Sequence, residues 1–411
     1  MSSLSEKLQS LGVTLGTKEI SKPKPKRRVD FPIDRVLDGE WQSTPHGDTF
    51  VVERRYEAGF EVGTVPLRGA RPPALLAAWA GAPSIADTAL ERFVFLDTET
   101  TGLVGGTGTY TFLVGLGRFE GDQFRLAQFF LRDPAEETAQ LAALEGFLAP
   151  CDVIVSYNGK SFDMPLLNTR FTLNGWPPPL QDSGHIDLLH LARRMWGNRL
   201  PGCTLGEVEA NILGLRRSDK DVSGRMVADL FFDYLHTQDA RPLESVFYHN
   251  EMDVISLSAL LNLASAMVAD PLDGAVPHDD DLFAIGKFYA DMGRPEMAMR
   301  ILQRGLAQKQ PGGKAYWSGV KQLSFLHKRG GNLSAAMRLW EQAAERGQPY
   351  AHVELAKVYE HRRGDFVEAA RWTQAAIEIV TAATTPRSER IRWLPELQHR
   401  LERLERRMEA D

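Results

Sequence analysis

The chain has 411 residues, of which 43% are hydrophobic and 25% are charged, and its formal net charge is −6. This composition is typical of a soluble globular protein with two or three domains. No apolar run approaches 18 residues and the first residues lack the apolar segment of a signal peptide, so neither a membrane span nor a membrane partner is expected. Two cysteines, Cys151 and Cys203, are too few for a disulfide framework or a structural zinc site, which favours the reducing cytoplasm.

The first 90 residues contain two segments of different character. Residues 1–30 include SKPKPKRR (21–28), in which Pro and Lys alternate, and this predicts a disordered basic segment. Such a segment is either a solvated tail or a nonspecific phosphate contact. Residues 31–90 predict a small preface, because residues 45–67 have the pattern of one or two strands separated by Gly turns.

Residues 91–270 have the mixed pattern of an α/β domain. A strand at 93–99 is followed by two further strands joined by the turn EGDQ, a helix from Pro134 and a buried strand at 152–159. Helices are then predicted at about 185–196, 204–214, 223–237 and 242–268. This order predicts a mixed sheet flanked by helices.

Residues 279–411 predict an all-α helical repeat domain. The segments MGRPEMAMRIL, GGNLSAAMRLW and RGDFVEAARWT align on Gly293, Gly331 and Gly364, at periods of 38 and 33 residues. Small residues where helices cross and Gly in the turns are typical of a tetratricopeptide-type array. Such a domain recruits a protein partner, guides a substrate or only supports the preceding domain.

Two carboxylates follow the first strand of the α/β domain. Asp97 and Glu99 are two residues apart, so their side chains point to the same face of the strand. Like charges held close together repel, and their burial is unfavourable unless a partner neutralises them. A divalent metal ion is the usual partner.

Two later segments supply further polar side chains. SYNGKSFDMPLL (156–167) contains Asn158 and Asp163 directly after a buried strand. FYHNEMDVISL contains Asp253 on an apolar helix, with His249 one turn earlier on the same face. Four acids from three segments are expected to converge at one edge of the sheet. Two-metal phosphoryl chemistry requires such a set, with two ions about 3.5–4 Å apart and a general base nearby.

The segments DTETTGL, NGKSFD and YHNEMD resemble the three motifs of the DEDD superfamily of 3′–5′ exonucleases, which has a ribonuclease H-like fold. TPHGDTFVVE, the segment at 184–214 and the repeat tail are similar to the YprB-type ribonuclease H-like family, over about residues 40–268. The resemblance implies two ions, Mg²⁺ or Mn²⁺, held by Asp97, Glu99, Asp163 and Asp253. It also implies that Thr98 and Leu103 contact the terminal nucleotide, and we expect Asn158 and Tyr248 to contribute to substrate binding.

The residue that would serve as general base departs from the superfamily pattern. Its two main branches place either Tyr four residues before the last Asp or His five residues before it, whereas here Tyr248 is five before and His249 four before. Four residues make one helical turn and imidazole titrates near neutral pH, so we favour His249. A distorted helix start would favour Tyr248 instead.

Together these features predict a metal-dependent nuclease that hydrolyses phosphodiester bonds. The favoured activity is that of a 3′–5′ exonuclease on the end of single-stranded DNA or RNA, with DNA slightly favoured. One alternative is an endonuclease with the same metal pair, and another is a weakly active scaffold that binds nucleic acid or protein. Arg193, Arg194 and Arg199 either line a phosphate groove or lie on a solvated face.

Overall fold

The structure is a computed structural model that describes residues 31–102, 108–274, 276 and 278–409. The predicted disordered segment at 1–30 and the predicted substrate contact Leu103 lie outside the described residues.

A seven-stranded mixed sheet forms the centre of the first 270 residues, with the strand order β1-β2-β7-β6-β5-β8-β9. The pairs β5–β8 and β8–β9 are parallel and the other neighbours are antiparallel. A separate two-stranded hairpin consists of β3 and β4. The strands are β1 (Glu40–Thr44), β2 (Gly47–Glu57), β3 (Glu61–Val62), β4 (Val65–Pro66), β5 (Phe93–Thr100), β6 (Thr111–Glu120), β7 (Gln123–Phe130), β8 (Val153–Ser156) and β9 (Gly184–Asp187).

Helices cover this sheet, which confirms the predicted α/β class. The longest of them, α8, crosses the sheet and packs on β5, β6 and β7. The helices of this part are α1 (Ile33–Val36), α2 (Ala74–Trp79), α3 (Glu137–Leu148), α4 (Asp163–Leu173), α5 (Leu188–Met195), α6 (Leu205–Val208), α7 (Gly224–Thr237) and α8 (Leu243–Ala269). A π-helical turn, Glu209–Leu213, directly continues α6.

The segment 31–90, predicted as a preface, contributes strands to the main sheet. β2 pairs with β7 along its length, from Phe50 opposite Phe130 to Glu57 opposite Gln123. β1 extends the same edge through a tight hairpin with β2. β1 is largely exposed and β2 buries a single block, residues 49–52, so this segment forms a partly covered edge of the large sheet.

Strand β9 corrects the helix predicted over 185–196. The chain first forms a four-residue parallel strand beside β8, with Ile186 and Asp187 buried, and α5 begins only at Leu188. Four residues are too few to show the two-residue periodicity of a strand, and the apolar residues of α5 that follow them have a clear helical spacing. The helical spacing of α5 therefore masks the short strand β9 in the sequence.

Helix α8 belongs to the core. By length and composition alone it is suited to cross a membrane, with a mean hydropathy of 1.6 in its most apolar stretch, but 72% of that stretch is buried inside the protein. The core helix of a globular domain has the same composition, because it is apolar on all sides. Its carboxyl end leads to the tail, where the Tyr289 hydroxyl donates a hydrogen bond to the Val268 carbonyl oxygen at 2.7 Å.

The tail consists of helices throughout the described residues from 279 on. They form consecutive antiparallel pairs, as predicted, while the tetratricopeptide assignment stays a prediction. The helices are α9 (Asp279–Asp291), α10 (Pro295–Gln308), α11 (Gly313–Arg329), α12 (Leu333–Ala344), α13 (Pro349–Val358), α14 (Phe366–Thr381) and α15 (Arg387–Met408), and a π-helical turn, Tyr359–Arg363, follows α13.

The tail and the α/β part share one hydrophobic core. A single cluster of buried side chains includes Phe95 of β5, Leu257 of α8, and Phe288 and Trp340 of the tail. Charged pairs flank this contact: Arg199 bonds with Asp281 at 3.0 Å, and Arg194 pairs with Asp291. These two arginines therefore hold the tail in place, and neither a phosphate groove nor a solvated face describes them.

Candidate metal and catalytic site

The end of β5 divides its side chains between two helices. Asp97 and Glu99 share one face of the strand and lie toward α8, whereas Thr98 lies on the other face. The Thr98 hydroxyl donates a hydrogen bond to Asp163 at the start of α4. Thr98 is buried, so its side chain holds a carboxylate in place and does not face solvent. A register shift between Glu99 and Thr100 ends the regular pairing with β6 beside these residues.

A glycine in β6 allows α8 to lie close to the sheet. Gly115 is paired with Asp97 on one side and Gln128 on the other. The Asn250 amide of α8 fills the space above it, where an added Cβ would lie 2.2 Å from Asn250 Oδ1. The amide accepts a hydrogen bond from Gln128 Nε2 at 2.9 Å and donates one to Asp97 Oδ2 at 2.9 Å. Asn250 therefore fixes the Asp97 carboxylate relative to α8.

Three potential ligands converge where β5 meets α8. Ligand atoms of Glu99, His249 and Asp253 all lie within 4.8 Å of one another. His249 Nε2 is 3.7 Å from Asp253 Oδ2, as expected for side chains one helical turn apart. Carboxylate oxygens suit Mg²⁺ and Mn²⁺, and an imidazole also suits transition metals. The donor set fits a divalent cation.

The carboxyl groups of the site raise one another's pKa values. Burial, together with the charges of Asp253, Glu99 and Asp163, raises the pKa of Asp97 well above its usual range. Burial and neighbouring acids raise the pKa of Glu99 to about 8, and burial raises the pKa of Asp163 to about 6. Carboxyls that bind protons this tightly are buried and close to one another, which is the condition that a bound cation relieves.

The pKa of His249 is raised although burial acts to lower it. The carboxylates of Asp253 and Glu99 and a hydrogen bond with Asp221 outweigh the burial. His249 Nδ1 lies 2.8 Å from Asp221 Oδ1, and Nε2 faces Asp253. Asp221 therefore orients the imidazole ring through Nδ1, so that Nε2 faces the carboxylates.

The Tyr248 side chain does not point toward the acidic cluster. Its hydroxyl accepts a hydrogen bond from the Ser218 backbone N–H at 3.1 Å, and its ring packs against the core. Helix α8 begins at Leu243 and is regular through these residues, so the distorted start that would have favoured Tyr248 is not found there. The structure brings His249, and not Tyr248, to the acidic cluster.

The loop before Asp163 is fixed by Asp187. The Asp187 carboxylate accepts hydrogen bonds from the backbone N–H groups of Asn158 at 2.9 Å and Lys160 at 3.2 Å. It also accepts one from Leu189 at 3.0 Å, which caps α5. Asn158 adopts a left-handed conformation with φ 67° and its side chain is exposed, so it serves the turn while remaining accessible to a ligand.

Sequence reasoning missed Arg217, the central cation of the site. Its guanidinium pairs with Asp253, and it bonds with Glu209 at 2.7 and 2.8 Å. Its Nη1 is 3.1 Å from His249 Nδ1. Glu209 is almost completely buried in the π-helical turn after α6. The only signal was the pair of arginines in LRRSDKD, in a loop without periodicity.

Comparisons with known proteins identify the family of the chain. A family model described as the RNase_H superfamily matches residues 94–265. The protein YprB of Bacillus subtilis (strain 168) is 33% identical over 304 residues, which cover 72% of each chain. A solved family B DNA polymerase from the archaeon Pyrobaculum calidifontis aligns with a TM-score of 0.33 and 18% identity over 59% of this chain. The aligned part spans 34% of that polymerase. The family match and the mixed sheet confirm the predicted ribonuclease H-like fold.

Proposed function

Because the chain belongs to the family of YprB and contains a domain of the RNase H superfamily, we propose that it is a metal-dependent nuclease that works as a 3′–5′ exonuclease on single-stranded nucleic acid. One observation carries this proposal. The carboxylates of Glu99 and Asp253 meet at the end of β5 beside the oriented His249. Asp97 is close enough to feel their charges and that of Asp163. Hydrogen bonds with three side chains hold this region in place, those of Asn250, Thr98 and Asp187.

The metal ligands in this proposal are Asp97, Glu99, Asp163 and Asp253. The chemistry that divalent ions supply in such sites is stabilisation of charge on phosphate oxygens and acidification of water. Asp97 is held by Asn250, and Asp163 by Thr98. Ligands restrained in this way keep their positions when charge changes at the site.

His249 acts as the general base in this proposal. Its Nδ1 is held by Asp221, which leaves Nε2 on the side of Glu99 and Asp253 to accept a proton from water. A base oriented by a third group is a recurring arrangement in hydrolytic sites. Arg217 pairs with Asp253 and lies 3.6 Å from Asp221, the acid that orients His249, so it helps to position one proposed ligand and, through Asp221, the base.

Linear and circular strands provide the direct test. Purified protein is incubated with end-labelled single-stranded DNA, matched RNA and a single-stranded circle, with Mg²⁺ or Mn²⁺. We expect shortening from the 3′ end of the linear strands and no cleavage of the circle. Cleavage of the circle would indicate the endonuclease alternative. No cleavage of any strand by folded, metal-binding protein would indicate the scaffold.

Asp97→Asn should reduce cleavage to background while binding of the strand is largely kept. The substitution removes the carboxylate charge with nearly unchanged shape. Asp122→Asn is the matched control, because it makes the same change in the exposed turn between β6 and β7. Wild-type cleavage by Asp97→Asn with Mn²⁺ would refute the metal-site assignment.

A further inference from the structure

The two parts of the chain carry opposite net charges. Residues 31–278 contain 33 acidic and 19 basic residues, whereas residues 279–409 contain 17 acidic and 22 basic residues. A polyanionic strand is repelled by a strongly acidic surface and attracted by a basic one. A surface that attracts such a strand is therefore to be sought in the tail.

A cavity of about 590 Å³ lies between α11, the start of α12 and the end of α13. Four of its lining residues carry basic side chains: Lys328, Lys357, His361 and Arg362. The remaining lining residues are Gly331, Leu333 and Val358. Among the described residues, Arg362 has no ion-pair partner.

A buried carboxylate organises two of these cations. Glu354, 5% exposed, bonds with Lys357 at 2.9 Å and also with Lys328. Each ammonium group has three N–H donors and uses one on Glu354, so further donors remain for a ligand. Lys328 Nζ is also held 5.8 Å from the Trp340 ring centre. Burial of the shared acid thus fixes two ammonium groups side by side, and with Arg362 the cavity keeps an excess of positive charge.

We propose that this cavity binds the phosphate backbone of a nucleic-acid strand whose end lies in the catalytic site. This rests on the proposed nuclease function. The neighbouring aromatic rings of Trp340 and Tyr350 are buried in the helix packing and cannot stack on bases. Contacts here are therefore with phosphates, and binding is independent of base sequence.

The catalytic site and the cavity are far enough apart that only a long nucleic-acid strand can reach both. Asp253 and Val268 are 15 residues apart on α8, which is roughly 22 Å at 1.5 Å per residue. Val268 only touches the first tail helix, and the cavity lies between later helices. A trinucleotide has only two internucleotide linkages, which are too short to cover this distance even when the backbone is extended, so it does not reach past this junction. Only longer strands engage both sites.

The test compares binding and cleavage in the full-length protein. A fluorescent single-stranded 30-mer is titrated in EDTA at several salt concentrations, with wild type and with Lys357→Gln/Arg362→Gln. Lys328 is kept so that Glu354 retains a partner. Losing two phosphate contacts should reduce the slope of log K against log salt by about 1.4. Cleavage of a trinucleotide should be unchanged.

A matched pair of substitutions controls for net charge. Lys287→Gln/Arg371→Gln removes the same charge from exposed tail positions that already pair within their own helices. It should leave the salt slope near the wild-type value, and thermal melting checks the folding of both variants. An equal loss in both variants, or an unchanged slope in the cavity variant, overturns the proposal.

An acidic peptide is the competing ligand. If a polyglutamate peptide binds wild type but not the cavity variant, while the 30-mer binds both equally, the site recognises acidic protein segments and the proposal is wrong. The binding arm is independent of catalysis. Absence of trinucleotide cleavage by wild type would therefore count against the nuclease function and leave the cavity result interpretable.

Discussion

The catalytic part and the tail differ in the balance of their charges. In the catalytic part, where acids outnumber bases, Arg170 and Arg217 are largely buried and pair with the buried acids Glu137 and Glu209. The tail also contains a buried pair, Arg400 with Glu360, but its bases outnumber its acids. Some tail cations, such as Arg362, therefore have no ion-pair partner among the described residues and remain available to a ligand. Substitutions of cations in the two parts should differ in kind.

Besides Asp97→Asn, the largest effect is expected of His249→Ala, a rate loss of roughly 10²–10⁴, the range for general-base catalysis. The cause would be loss of Nε2 beside Glu99 and Asp253. Tyr248→Phe is the neighbouring control and should change the rate little, because that hydroxyl bonds with Ser218. Single-turnover rates on an end-labelled strand measure both. The reverse ranking would place the base at Tyr248.

Arg217→Gln should lower the cleavage rate by about 10–100-fold, as is typical for groups that orient a metal ligand. It leaves Glu209 buried without its partner and frees Asp253. Arg216→Gln, at the adjacent exposed position, is the control. A positioning role predicts weaker Mn²⁺ binding by calorimetry and partial rescue by Arg217→Lys. Unchanged Mn²⁺ affinity with a reduced rate would contradict it.

Arg199→Gln tests the contact between the two parts. It leaves Asp281 unpaired, and burial already raises the pKa of that carboxyl. We expect a loss of about 1–2 kcal/mol, below the 3–5 kcal/mol of fully buried pairs because Arg199 is 21% exposed. Arg92→Gln breaks a pair exposed on both sides and should have a smaller effect. Urea denaturation compares them, and equal losses would show that the junction pair is not special.

The smallest expected effect is the change of stability with pH in the metal-free protein. The pKa values of Glu99 and Asp163 are raised to about 8 and about 6, above those of the unfolded chain, so the folded state holds these protons more tightly. This contribution to stability is complete below pH 4 and is lost as pH rises through 6 to 8. Melting in EDTA should show a decline over this range that Mg²⁺ diminishes and Glu99→Gln flattens. Glu61→Gln, exposed on β3, should keep the decline.

The sequence was sufficient for features that repeat or have a fixed spacing. The hairpin of β6 and β7, the tail helices and the convergence of β5 with α8 follow from patterns of two, 3.6 and about 35 residues. The side on which His249 lies followed from one helical turn. The proposed roles of these residues remain predictions.

Other features arise only from tertiary structure. Asn250 and Gln128 look like ordinary polar residues in the sequence, and their bond over Gly115 exists because two strands and a helix meet there. Arg217 and Asp221 belong to a loop, whose path no periodicity reports. The pairing of Arg199 with Asp281 needs two segments more than 80 residues apart to be packed first. Such contacts depend on the assembled fold and leave no local signal.

The hydrophobic core that runs from Phe95 to Trp340 makes the tail inseparable from the catalytic part in a thermodynamic sense. Unfolding either part would expose apolar surface on the other, so neither can melt alone without destabilising its neighbour. Heating should accordingly produce one calorimetric transition for residues 31–409. A protease that cuts within the tail would act mainly on globally unfolded molecules, and tail and catalytic part would then be degraded at a common rate.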